Sequence, residues 1–267
     1  MYKRRPSLDI MRMGNIVEAL HTFSYVRVEE SFRTTQEALE CASAVVTACQ
    51  VDRGLPPLEI IGEFIVPPPD GGDSRNFQTL HFDFGLPLNP KVAQDIAFYT
   101  ALHVPADIES VQAVTRLVPL DALLGQHSWP PLGELVERLG QYGRTHGAWD
   151  DEQGYVEGSL ARIIEAATTN CSPQLPSVKL ETDFLCGMEF NELSAEIDFF
   201  ERHGIQLQVI EIPLQPGELL VFDNLAVAHG RRGTRRPGEL RQYVFGLSLE
   251  PTAQKELRDS VLAAFWA

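Results

Sequence analysis

Polar and apolar positions along the chain change period several times, and each change marks an element. Thr34-Thr35-Gln36-Glu37 reads as a capping box, in which a Thr hydroxyl and a Glu three residues later satisfy the first amides of a helix. That helix continues through ALECASAVVTACQ. A loop rich in Pro, Gly and Asp follows at Val66 to Asp73, and beyond it the period drops towards two. From Asn76 to Phe84 the alternation places Phe77, Thr79, His81 and Asp83 on one strand face, with Gln78, Leu80, Phe82 and Phe84 on the other. Asp95 to Val104 and Val111 to Val118 read as further strands.

His127 to Glu157 breaks this rhythm. It combines Trp129-Pro130-Pro131, a short helical piece and the acidic stretch Trp149-Asp150-Asp151-Glu152, so it reads as an irregular excursion and a lid candidate. Ser159 to Thr168 reads as helix, and Ser194 opens another that Gly204 closes. Strands resume at Ile205 to Ile212, Glu218 to Phe222 and Leu240 to Leu249, with Pro216-Gly217 turning between the first two. A last helix is expected from Pro251 to about Phe265. The fold class expected is mainly β with flanking helices, a jelly-roll or double-stranded β-helix core in one domain over residues 1–267.

Composition narrows the partners. The 267 residues are 44% hydrophobic, which suits a sizeable core, and the net charge is −15. Such a surface repels phosphate, so neither nucleic acid nor an anionic membrane is expected as partner. Cys41, Cys49, Cys171 and Cys186 form no C-x-x-C pair, and no apolar run approaches a membrane span. A cytoplasmic, reduced setting and a small-molecule substrate are expected, with oligomeric state left open.

The chemistry centres on His81-Phe82-Asp83. Residues i and i+2 of a strand share a side, so an imidazole and a carboxylate can meet one ion. With a second His they form the facial triad of two His and one carboxylate that suits non-haem Fe(II). By itself H-x-D is a weak signal, because a buried His satisfied by an Asp has the same spelling. The weight comes from Pro216-Gly217-Glu218-Leu219-Leu220-Val221-Phe222-Asp223-Asn224, followed by Leu225-Ala226-Val227-Ala228-His229-Gly230-Arg231. Together with the earlier H-x-D, this stretch resembles the clavaminate synthase and taurine dioxygenase branch of the Fe(II)/2-oxoglutarate-dependent oxygenases. The likeness covers roughly residues 75 to 250.

The resemblance implies that His81, Asp83 and His229 hold Fe(II), with 2-oxoglutarate and O2 as co-substrates. It implies oxidation of an unactivated C–H of a small polar metabolite, most simply hydroxylation, with succinate and CO2 released. Asp83 stands where halogenating relatives carry a small residue, which favours hydroxylation, desaturation or cyclisation. An arginine just past the distal His is implied to bind the far carboxylate of 2-oxoglutarate. Arg241 takes that role here, because Arg231, Arg232, Arg235 and Arg236 fall in RRGTRRPG, which reads as an exposed hairpin loop. Arg231 could still reach a substrate carboxylate from the rim. Thr115 resembles the hydroxyl that assists co-substrate binding, although the small glycines usual before it are replaced by Val111 to Val114.

Asn224 and Gln78 are candidates to hydrogen-bond the metal ligands. Trp149 and Asp150 are candidates to clamp a cationic substrate, and His127 and His146 to touch it. His103 reads as a satisfied core residue and His203 as a helix-terminal one. Two alternatives use the same strands: a non-catalytic jelly-roll binding protein, and a cupin-like metalloenzyme that does not use 2-oxoglutarate.

Overall fold

A computed structural model of the chain describes residues 10–66, 76–87, 96–119, 155–161, 190 and 192–248. Among the described residues the helices given in full are α1 (Ile10–Phe23), α2 (Thr35–Asp52) and α3 (Leu193–Arg202). Ten strands are β1 (Tyr25–Val28), β2 (Glu59–Val66), β3 (Phe77–Pro87), β4 (Ile96–His103), β5 (Val114–Pro119), β6 (Tyr155–Ser159), β7 (Ile210–Ile212), β8 (Leu219–Asp223), β9 (Val227–Arg232) and β10 (Leu240–Ser248). The Thr34 half of the capping box forms at the start of α2, where Thr34 Oγ1 accepts from the Glu37 amide at 3.1 Å, while Glu37 reaches one residue beyond the N-cap. The Glu37 carboxylate accepts from the Arg33 amide at 2.9 Å. α3 ends as its Gly204 predicts, with that residue at φ +70°.

Sequence patterning did not reveal α1, β1, β2, β6 or β9. β1 is only four residues long, and β2 leaves Ile60 and Ile65 exposed, so neither alternates cleanly. The strand expected over 205–212 is confined to Ile210–Ile212. Within the expected lid, residues 155–157 belong to β6, and the rest of 127–157 lies outside the described residues. So do the helix expected over 251–265 and most of the one over 159–168. No helix among the described residues is long and apolar enough to cross a membrane.

The strands form two five-stranded sheets with every pairing antiparallel. The first has order β1-β8-β4-β10-β2, the second β6-β3-β9-β5-β7. Period-two alternation gives the first sheet two buried faces. Tyr99, Ala101, Leu219, Val221, Tyr243 and Phe245 pack against α1 and α2, around Val45, Val46 and Cys49. On the opposite face Leu102, Leu220 and Phe222 meet Leu117, Ile212 and Val227 of the second sheet. The two sheets therefore enclose a common apolar interior. Asn224, in the turn from β8 to β9, is anchored by donating from Nδ2 to Thr100 Oγ1 at 3.1 Å.

β3 departs from simple alternation. Gln78 pairs with Arg231 and His81 pairs with His229, so three steps on β3 match two on β9. This is a β-bulge. Directly opposed residues point to the same side, so Gln78 shares the face of Arg231, while Phe77 pairs with Arg232 on the other. The expected grouping of Phe77 with His81 on one face is therefore wrong; one extra residue inverts the phase. Gly230 sits against the bulge, where a Cβ would lie 2.7 Å from the Gln78 carbonyl oxygen and 3.1 Å from that of Thr79. Both neighbours are backbone, so neither can rotate away.

Gly230→Ala is expected to destabilise the fold by about 2 kcal/mol or more through this overpacking. Urea denaturation measures it as a lowered midpoint. Asp223 offers a second test. Burial pushes its carboxyl up to about 6, against the stabilising pull of the Leu225 amide, which donates to Oδ1 at 2.9 Å. An acid whose folded pKa is raised favours the folded state when protonated, so the cost is absent below about pH 4 and complete above about pH 6. Asp223→Asn is expected to raise the melting temperature at pH 7.5, by up to about 2 kcal/mol of stability, and to leave it unchanged near pH 4.

Candidate functional site

His81 and His229 face each other across β3 and β9, with ring centroids 4.4 Å apart and planes at 49°. His229 is buried, and its ring centre lies 4.9 Å from that of Phe222, which reaches across from the first sheet. The pair thus opens into the space between the sheets. His81 Nδ1 lies 2.8 Å from the Thr79 carbonyl oxygen. A carbonyl can only accept, so Nδ1 carries a proton, and in the neutral imidazole that leaves the lone pair on Nε2. Asp83 follows two residues later on β3. Its side chain is outside the described ones, and among the described residues no group of three or more His, Cys, Asp or Glu is arranged to hold a metal. Two imidazoles and a carboxylate are the N,N,O donor types that suit Fe(II), and the described residues bring the two imidazoles together.

The arginines fall differently from expectation. Arg241 lies on β10 opposite His103, on the same face as Tyr243 and Phe245. That is the face covered by α2, so the structure does not bring Arg241 to the histidine pair. Strand phase decides this: Gln242, one residue on, takes the face of Val244 and is buried. The expectation that all four arginines of RRGTRRPG are exposed also fails. Arg232 and Arg236 are exposed, and Arg232 forms a bidentate ion pair with Glu211 at 3.0 and 2.7 Å. Arg235 is half-buried and donates to Thr115 Oγ1 at 3.5 Å. Arg231 is 1% exposed, on the same side of β9 as His229 and directly opposite Thr115 of β5. Its guanidinium donates to the Gly233 carbonyl. Arg231, Arg235, Thr115 and Gln78 therefore gather one strand pair away from the histidines.

A buried ion pair was not anticipated. Arg116 of β5 and Glu196 of α3 are both fully buried, with Nη1 and Oε2 2.7 Å apart. A charged residue inside the apolar run VTRLVP was the available signal, since a buried charge requires a partner. His103 is the core residue expected: it is buried, its Nδ1 lies 3.1 Å from the Glu218 carbonyl oxygen, and burial holds its pKa below the usual value. His203 follows α3 with Nδ1 2.8 Å from the Phe199 carbonyl oxygen. Trp149, Asp150, His127 and His146 lie outside the described residues.

No family model matches the chain, and neither does any curated protein. Among solved structures, a taurine dioxygenase from Burkholderia xenovorans aligns at 13% identity over 91% of this chain and 81% of its own, with a TM-score of 0.42. The non-haem iron oxygenase OrfP, solved in complex with Fe, aligns at 13% identity over 90% and 79%, with a TM-score of 0.46. The PvcB protein from Pseudomonas aeruginosa aligns at 12% identity over 93% and 84%, with a TM-score of 0.41. Similarity at this level leaves the functional assignment resting on strand order and on the histidine pair.

Proposed function

We propose that the chain is a non-haem Fe(II)/2-oxoglutarate-dependent oxygenase built on a double-stranded β-helix. The observation that carries this reading is the cross-strand pair of His81 and His229, facing the interior with Asp83 two residues away on the same strand. The strand order supports it. Apart from the edge strands β1 and β6, consecutive strands from β2 to β5 alternate between the sheets, β7 begins in the second, and β8 to β10 alternate again. That path is how a jelly-roll winds.

In this reading His81, His229 and Asp83 hold Fe(II). Bound Fe(II), with 2-oxoglutarate and O2, supplies the oxidising power to attack an unactivated C–H, with succinate and CO2 as by-products. The chain's own contribution is orientation and exclusion of water. The Thr79 carbonyl fixes the His81 tautomer so that Nε2 is the ligating atom. Phe222 closes one side of His229 and keeps that side dry. Both imidazoles must be neutral and the carboxylate ionised, so metal affinity falls in acid.

The far carboxylate of 2-oxoglutarate is assigned to Arg231 in place of Arg241, with Thr115 and Arg235 beside it. Arg231 stands two residues from His229 on the same strand face, about 7 Å along the strand, which is the reach of a five-carbon diacid chelated at its other end. Its burial strengthens a charge-assisted hydrogen bond to a carboxylate. The small polar metabolite as substrate, and Trp149 and Asp150 as its contacts, remain proposals from the sequence.

Anaerobic reconstitution with Fe(II) and 2-oxoglutarate tests the reading through a weak visible charge-transfer band, followed by O2-dependent succinate formation. Iron uptake with substrate turnover that does not require 2-oxoglutarate would favour the cupin-like alternative, and absence of iron uptake the binding protein. His229→Ala and Asp83→Ala are each expected to lower Fe(II) affinity at least 100-fold and abolish succinate formation; parental succinate rates in either variant would refute the ligand assignment. Arg231→Lys is expected to weaken 2-oxoglutarate binding at least tenfold by calorimetry, with Arg241→Lys close to parent. The reverse ranking would return the role to Arg241.

A further inference from the structure

We infer that Glu196 is a positioning residue for His81, acting through the single peptide unit that joins Thr79 to Leu80. The two ends of this peptide are held by different groups. Its N–H, on Leu80, donates to Glu196 Oε1 at 2.8 Å. Its C=O, on Thr79, accepts from His81 Nδ1 at 2.8 Å. A trans peptide is planar, with its N–H and C=O pointing in opposite directions. Gripping one end therefore sets the direction of the other, and with it the rotation of the imidazole.

The bulge explains why such a grip is needed. An extra residue in β3 leaves part of the ladder between Gln78 and His81 unmatched by β9. A buried amide without a ladder partner must be satisfied elsewhere, and for Leu80 the acceptor comes from α3. Neighbouring contacts immobilise the same segment. Thr79 Oγ1 accepts from the Phe190 amide at 2.9 Å, and the Arg116 guanidinium lies over the Phe77 ring at 5.0 Å. Gly230 permits the close approach of both bulge carbonyls.

The ion pair makes more sense as an orienting device than as a stabilising one. Glu196 and Arg116 are fully buried, and removing two charges from water offsets most of their attraction. An apolar pair of similar volume would serve packing equally well. What it would lack is an ionised acceptor for the Leu80 amide. The carboxylate also polarises the peptide, which strengthens the Thr79 carbonyl as acceptor for the imidazole N–H. The series Arg116, Glu196, peptide 79–80 and His81 thus runs from the outer face of the second sheet to its interior face.

The consequence for metal binding rests on the reading proposed above, but the tautomer can be measured without metal. Two properties are read in each variant: the nitrogen shifts of the His81 imidazole in metal-free protein, and Co(II) affinity by calorimetry. In the parent, His81 is expected to show a single tautomer protonated at Nδ1. Arg116→Met with Glu196→Leu removes the carboxylate while keeping the volume apolar. This double variant is expected to melt near the parent, to show mixed tautomers, and to bind Co(II) ten- to a hundredfold more weakly. Arg116→Met with Glu196→Gln keeps an acceptor for Leu80 and is expected to recover most of both signals.

Glu196→Asp keeps the charge but withdraws it by one methylene, and is expected to mix the tautomers even if the apolar pair does not fold. Parental tautomer and parental Co(II) affinity in a folded Asp or Leu variant would overturn the inference and leave the pair a structural one. If the parent itself binds no Co(II), the metal reading fails while the tautomer measurement still decides the role of Glu196.

Discussion

The register between β3 and β9 is the constraint on which the candidate site depends. Direct opposition of His81 and His229 brings two imidazoles within ring-contact distance without any loop having to be ordered. Strand pairing is well suited to this task. Its spacing is set by backbone hydrogen bonds and changes only in whole-residue steps, each of which reverses the face of every side chain. A slip of one residue would turn one imidazole away from the other.

That precision makes the bulge between Gln78 and His81 more than an irregularity. With the bulge, Gln78 and His81 lie on one face despite their odd spacing, and the Thr79 carbonyl is placed within reach of the His81 ring. Gly230 permits it from the β9 side, and Glu196 holds it from the α3 side. Backbone, a helix side chain and a metal-ligating candidate are therefore coupled over a short distance. Local rigidity of this kind is what a metal site requires, because ligand direction matters as much as ligand identity.

Polar groups distribute unequally between the faces of the two sheets. The first sheet uses its helix-facing side for packing and places Arg241, His103 and Asp223 at the edges of that layer. The second sheet directs Arg231, Thr115 and the two histidines inward and gives its outer side to the Arg116–Glu196 pair. Cation and imidazole thus share the interior face of β9. A dianion that chelates a metal at one end and meets a guanidinium at the other fits that arrangement electrostatically.

The sequence by itself determined the elements with strong local signals. Thr34 and Glu37 announced α2, Gly204 the end of α3, and alternation most of the longer strands, because caps, glycine dihedrals and side-chain period are properties of a few adjacent residues. It also offered His81, Asp83 and His229 as candidate ligands, through the resemblance of two motifs to a known family. Tertiary structure alone decided which of these side chains meet and which arginines accompany them. Arg241 and Arg231 are equally plausible as letters, but strand phase sends one to the helix layer and the other to the interior. The bulge at Thr79 and Leu80 and the ion pair of Arg116 with Glu196 were invisible for the same reason. Each depends on a partner strand or helix more than 70 residues away, and no local pattern encodes the register in which distant segments pair.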